Sequence, residues 1–425
     1  MKKRFITITV SVVFIVLLCL SGFSREIVNY LENALAEDLS FDLKEEEKIV
    51  GVWIASISNI DFPSAKGLDE QTLKNEIDEI VELCSEMGIN TIFFQVRPAS
   101  DALYNSSIFP LSTYLTGGEQ RMFSDGDFDA LEYMIDQAHT NGIRVHAWIN
   151  PMRITSGTSE RPSLSLDELC DTHPAVLATH TVIRSSNGCM YYDIGYPEAR
   201  ELIASGVKEI AEGYEVDGIV FDDYFYPYNN ATFDDSASYA LYSDELSLED
   251  FRRANVTELM RLCSEAVMNT NNEILFGISP FGIWQNDTDS EKGSATKGTS
   301  SYHNIFCDTL ALAENGYVDY VAPQLYWNDD DESAPYNVLC EWWAKALKKT
   351  GTALVVSHAA YKYDGTWKSP LGTITKQYYY ARNFSNYRGS IFYGFNDIKK
   401  NTNGLRIEVS LIGSTQNEIK ITKDE

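Results

Sequence analysis

Eight short apolar runs punctuate this chain, and the segments between them carry apolar residues at helical spacing. That alternation leaves few folds open, because strand and helix taking turns along a chain is the signature of βαβ units around a parallel sheet. The runs are Gly51–Ser56, Thr91–Val96, Arg144–Asn150, Gly218–Asp222, Ile274–Ser279, Tyr320–Tyr326, Ala353–Ala359 and Gly389–Phe395. Leu73–Met87, Phe128–Asn141, Pro197–Tyr214 and Leu248–Met268 read as amphipathic helices, with Gly88, Gly142 and Gly351 where a helix end wants a left-handed residue. Eight such units predict an α/β protein of the (β/α)8 TIM-barrel type over residues 49–400, with 401–425 left as a C-terminal tail. An open doubly wound sheet is the alternative, weakened because no glycine-rich phosphate loop follows the first run.

A barrel places its functional groups just past the strands, at the carboxyl face. The fourth run reads DGIVFDDYFYP, Asp217 to Pro227, in which apolar Ile219, Val220 and Phe221 lead directly into Asp222 and Asp223, then Tyr224, Phe225, Tyr226 and Tyr228. Ionised carboxylates at the end of a buried strand are costly unless partnered, so two in succession point to chemistry more than to helix capping. Other strand ends supply Gln95, Arg97 and Asp101; Trp148, Asn150 and Arg153; Ser279, Phe281 and Trp284; Gln324, Tyr326 and Trp327; and His358 and Tyr361. Rings interleaved with planar polar groups suit a sugar, whose C–H faces stack on aromatics and whose hydroxyls take hydrogen bonds. Phe93, Phe94 and Phe221 read as core. His146, inside the third run, reads as a hydrogen-bonded barrel residue, and Asp193, ahead of Gly195 and Pro197, as loop structure.

The charge balance, 34 basic against 62 acidic residues, gives −28 and repels nucleic acid and anionic lipid. Lys2, Lys3 and Arg4 precede a nearly unbroken apolar run from Phe5 to Phe23, which predicts a signal peptide or membrane anchor over 1–24 and an extracytoplasmic, anchored or secreted protein. Residues 25–48 are charged and mostly acidic, a linker. Membrane contact is expected through the N-terminal segment alone. Cys170 and Cys189 share a loop-rich region where a disulfide is conceivable, whereas Cys84, Cys263 and Cys340 read as core. Six histidines without an HxH or HExxH pairing argue against a metal, and no cofactor is expected; no G-x-S-x-G elbow points to an esterase.

Taken in order, GVWIASIS (Gly51–Ser58), FQVRPASDALYNS (Phe94–Ser106), FPLSTYLTG (Phe109–Gly117), AHTNGIRVHAWINPMR (Ala138–Arg153), YDIGYPEARE (Tyr192–Glu201), DGIVFDDYFYP, DFRRANV (Asp250–Val256), LFGISPFGIWQN (Leu275–Asn286) and VDYVAPQLYW (Val318–Trp327) form a pattern. It resembles the family-10-like glycosyl hydrolases, bacterial barrels of exported or envelope proteins, from about Gly51 to about Gly394. The resemblance implies hydrolysis of an envelope polysaccharide, notably peptidoglycan strands stripped of their peptides. Asp222 and Asp223 are the expected catalytic carboxylates, with Asp101 in reserve, either able to be the acid. Gln95, Arg97, Trp148, Asn150, Tyr224, Tyr226, Trp284, Gln324, Tyr326 and Trp327 are the expected sugar contacts. An Arg97–Asp101 pair could instead staple its loop.

The fourth run is also similar to the strand-four motif of family 18 chitinases, whose acid is a Glu two residues beyond its last Asp; here that position is Tyr224. With no Glu at any strand end, attack by the substrate's own 2-acetamido group stays open, one Asp donating a proton and the other orienting the acetamide. A carbohydrate-binding barrel without turnover is the alternative, as is hydrolysis of a partly deacetylated hexosamine polymer, whose cationic groups would suit an acidic chain. Stereochemical outcome and oligomeric state are not legible.

Overall fold

The computed structural model describes residues 48–118, 120–156, 164–227, 231–368 and 370–423, with side chains described to residue 415. The expected membrane segment, all of the acidic linker but Lys48, and Tyr228 lie outside the described residues. Strands β1 (Ile49–Ile54), β2 (Thr91–Arg97), β3 (Arg144–Ile149), β6 (Gly218–Phe221), β7 (Leu275–Ile278), β8 (Tyr320–Val321), β9 (Ala353–Ala359) and β10 (Tyr387–Tyr393) pair in parallel and close into a barrel. A two-stranded antiparallel ribbon, β4 (Val182–Arg184) and β5 (Met190–Tyr192), rises from the loop after β3 and had no period-2 signal to announce it. Closure comes from β1, which pairs with β2 on one side and with β10 on the other, Ile49 lying opposite Gly389.

The predicted helices form at Glu70–Glu86, Ala130–Thr140, Pro197–Gly213 and Leu248–Thr270, and their apolar faces cover the outside of the barrel. Asp69, Asp129 and Ser247 cap three of them by accepting from the backbone N–H of Thr72, Glu132 and Asp250. The barrel extends past residue 400, where the sequence reading left a tail. Leu405–Lys423 is its last helix, and Leu405, Val409 and Ile412 are buried because they share one face of it. Glu408 on that face is buried too; its carboxylate accepts from Tyr363 Oη at 2.9 Å and from the N–H and hydroxyl of Thr375 at 3.1 and 2.9 Å. The helix carries period-3.6 apolar residues only in its first half, which is why it reads as a tail.

Inside the barrel a separate core of large rings fills the lumen. Trp53 lies 4.9 Å from Phe93 and 5.0 Å from Trp148, and Phe93 lies 4.8 Å from His146. Room for these rings is made by glycines on neighbouring strands: a Cβ on Gly218 would fall 2.3 Å from the His146 ring, and one on Gly277 would fall 2.1 Å from that of Tyr320. His146 Nδ1 and Tyr320 Oη are 2.9 Å apart, and burial pushes the imidazole down to about 3, so it stays neutral. That matches its reading as a barrel residue.

Replacement of Gly277 by Ala is expected to destabilise the protein by about 1–3 kcal/mol through overpacking, and Tyr320→Leu in the same chain to recover part of the loss. Urea unfolding of the two single variants and the double measures both.

Candidate active site

Strand β6 ends at Phe221, and this one-residue difference from the sequence reading governs the site. Val220 faces the lumen, so alternation turns Asp222 the same way. There the backbone leaves the strand: Asp222 Oδ1 accepts from Tyr224 N at 3.1 Å, and Phe225 N donates to Asp223 O at 3.0 Å. The turn brings the second carboxyl alongside the first, where a continued strand would have sent it to the helix layer. Trp148 Nε1 donates to Asp222 Oδ2 at 2.9 Å, and Gln324 Nε2, from beyond β8, donates to Asp223 Oδ1 at 3.1 Å.

Both carboxyls are nearly closed to water, at 3% and 7% exposure. Burial raises the pKa of Asp222, with the Asp223 charge pushing further in the same direction; Arg153 and the Trp148 and Tyr224 hydrogen bonds oppose the shift without cancelling it. Asp223 is raised less, by burial against the Gln324 bond and Arg153. The pair is therefore split: Asp222 holds its proton to higher pH than Asp223 does, the division an acid and an ionised partner require.

Above them opens a cleft of about 630 Å³ lined by Trp148, Arg153, Tyr224, Tyr393, Tyr191 and Tyr114, with Gln95, Asp101 and Lys66 among its polar groups. The Arg153 guanidinium sits 3.6 Å over the Tyr224 ring. Gln95 lies at the rim in a binding position but is already engaged: its Oε1 accepts from Ser56 N and Ile57 N, both at 2.9 Å, and its Nε2 donates to Asn150 Oδ1 at 2.8 Å. Asn150 is fully buried below it. Ser58 and Asn59, on the loop that Gln95 holds, both adopt φ of 55° and line the cleft. Tyr326 joins this end of the barrel, its hydroxyl 3.1 Å from Ser357 Oγ and its ring stacked on Tyr393 at 6.1 Å.

Several expected contacts lie elsewhere. Arg97 is buried outside the lumen, 4.1 Å over the Phe109 ring, because the β2–β3 register shifts between Gln95 and Arg97 and re-aims the side chain toward the helix layer. It makes no ion pair with Asp101, so the loop staple does not form. Tyr226 is a core residue, stacked on Phe233 and edge-on to Phe306. Trp284 is buried in a stack with Trp342, its Nε1 donating to Asp308, and Trp327 is half-buried against Gly282. Asp101 lines the cleft, but its Oδ2 accepts from Ser112 Oγ at 2.7 Å and nothing joins it to the Asp222–Asp223 pair. His358 is buried between Gln377 and Ser390. Cys170 and Cys189 are not joined in a disulfide. Tyr393, findable at the end of the last strand, also lines the cleft; Tyr191 on the ribbon strand β5, Tyr114 in the single helical turn Thr113–Thr116 and Lys66 on a loop join it with no periodic signal in the sequence.

Paired carboxyls at a strand end, beneath a tyrosine-lined cleft in a closed parallel barrel, define the glycosidase class of TIM barrel. The family model described as glycosyl hydrolase-like 10 matches residues 48–370, and this chain belongs to that family and is a glycoside hydrolase. It is 34% identical over 403 residues to glycosyl hydrolase YngK of Bacillus subtilis (strain 168), covering 92% of this chain and 77% of that one. It is 35% identical over 327 residues to glycosyl hydrolase DigH of Escherichia coli (strain K12), covering 73% of each. The fold is shared with the PgaB (BpsB) glycoside hydrolase domain from Bordetella bronchiseptica, at a TM-score of 0.54 and 12% identity over 85% of this chain and 98% of that one.

Because the folded protein resists ionising Asp222, that carboxyl adds stability at low pH that is lost as pH rises through its elevated pKa. Asp222→Asn is expected to unfold at a higher temperature than the wild type at pH 8, by the equivalent of roughly 1–3 kcal/mol, with the margin closing toward pH 4. Calorimetry of both proteins across that range checks it.

Proposed function

We propose that this enzyme cleaves the glycan backbone of a bacterial envelope polysaccharide outside the cytoplasm, with peptide-free peptidoglycan strands as its substrate. The reading is carried by the split pair Asp222 and Asp223 beneath the tyrosine-lined cleft, and supported by the kinship with YngK and DigH. Asp222, the carboxyl that keeps its proton longer, protonates the leaving glycosidic oxygen. Asp223, held by Gln324, stays ionised and steadies the substrate's 2-acetamido group as its carbonyl oxygen attacks the anomeric carbon. Water then opens the resulting ring and restores the proton to Asp222. The route asks for no Glu, and none lines the cleft among the described residues. The N-terminal apolar run, as an anchor or signal, would bring the barrel to its polymer.

Wild type is expected to shorten peptide-free glycan strands, seen by mass spectrometry, while Asp222→Asn and Asp223→Asn each lose about 10²- to 10⁴-fold in kcat with the fold retained. Activity surviving in both variants would remove the pair from the chemistry. The rate should trace a bell in pH, its acid limb set by Asp223 and its basic limb by Asp222, both displaced above the ordinary carboxylate range. In Asp222→Asn the basic limb should vanish.

A further inference from the structure

The charge of the whole chain is a poor guide to its cleft. Over the sequence the balance is −28, yet above the catalytic pair at its floor the charged residues lining the cleft walls are two cations, Lys66 and Arg153, and one carboxylate, Asp101. Asp101 is only 4% exposed, and its oxygen not bonded to Ser112 is closed to solvent, so it presents no charge that a ligand can touch. Burial also raises its pKa. Lys66, by contrast, is exposed.

The two cations stand at the ends of one continuous wall. The Lys66 ammonium lies 5.1 Å over the Tyr114 ring, and Tyr114 Oη is 3.3 Å from Ser156 Oγ. Ser156 follows Ile154 and Thr155 along the cleft from Arg153, whose guanidinium covers Tyr224, and Tyr224 N is bonded to Asp222. An extended glycan lying along this wall with its scissile bond at Asp222 has Lys66 beside a sugar away from the point of cleavage. An ammonium there attracts an anionic substituent and repels a cationic one, in a concave setting where the field of a single charge is less diluted by water than on open surface.

Resting on the glycoside hydrolase reading of this cleft, we propose that Lys66 is a specificity residue that binds a carboxylate carried by the glycan, so that the enzyme selects anionic strands over neutral or amine-bearing ones. A lactyl carboxylate, set free when the peptide is removed from a peptidoglycan strand, has the required chemistry. A partly deacetylated hexosamine polymer, which suits the overall acidity of the chain, would set its ammonium groups against Lys66.

The test compares peptide-free glycan strands with the same strands after their carboxyls are converted to neutral methylamides. The readout is the ratio of kcat/KM for the two polymers. Wild type is expected to favour the carboxylate form by about tenfold at low salt, with the ratio shrinking as salt rises. Lys66→Met, which keeps an unbranched stem against Tyr114, should bring the ratio to within about twofold of one and remove its salt dependence; Lys345→Met, on a distant helix, should leave the ratio as in the wild type. Equal cleavage of the two polymers by wild type, or an unchanged ratio in Lys66→Met, overturns the assignment while leaving the hydrolase reading intact. Cleavage of neither polymer by folded wild type overturns the substrate and this inference together.

Discussion

Two carboxyl groups held side by side out of water are the constraint around which this protein is arranged. Neither would remain there unaided, since an ionised carboxylate loses far more in leaving water than one hydrogen bond returns. The barrel answers by surrounding them with fixed donors from several strands: Trp148 from β3 and the Tyr224 amide for Asp222, Gln324 from beyond β8 for Asp223, and the Arg153 guanidinium acting on both. Trp148 in turn rests on Trp53, whose Nε1 is bonded to Ser357 of β9. The lumen core is thus the floor of the active site, and the glycines that admit its rings serve the chemistry at one remove.

Much of this architecture was legible from the residues. Eight apolar runs became eight barrel strands, and the strand-four aspartates lie at the carboxyl face, although alternation alone would have parted them and only the turn after Phe221 sets them side by side. What escaped was set by departures from regularity. Arg97 occupies a lumen-facing position by simple alternation, and only the register shift after Gln95 sends it outward. Tyr226 and Trp284 have the composition of sugar platforms but pack against Phe306 and Trp342, partners distant enough in sequence that no local pattern reveals them. Tyr191 reaches the cleft on the short ribbon strand β5, Tyr114 on the single helical turn Thr113–Thr116 and Lys66 on a loop, and the placement of all three depends on tertiary contacts. The last helix was missed because its apolar stripe is short and its buried face includes Glu408, a carboxyl made tolerable by donors from Tyr363, Gly372 and Thr375.

The contrast between surface and cleft bears on how such an enzyme meets its polymer. A strongly acidic exterior discourages loose adsorption of anionic material over most of the molecule. An anionic strand would therefore find one concave region where cations and aromatic rings face it together, and binding elsewhere would not compete. A net charge taken over the whole sequence averages that distinction away.

The pairing of β1 with β10 carries a consequence for biosynthesis. Ile49 and its partner Gly389 are separated by almost the entire folded chain, so β1 leaves the ribosome early and keeps one edge bare until the final strand follows. An open edge is a template for wrong partners. Helix–strand units can dock in sequence as they appear, but the ring cannot shut, nor can the last helix settle against the barrel, before β10 has been made. The catalytic pair lies midway along the chain, yet it cannot acquire its finished environment until that late closure.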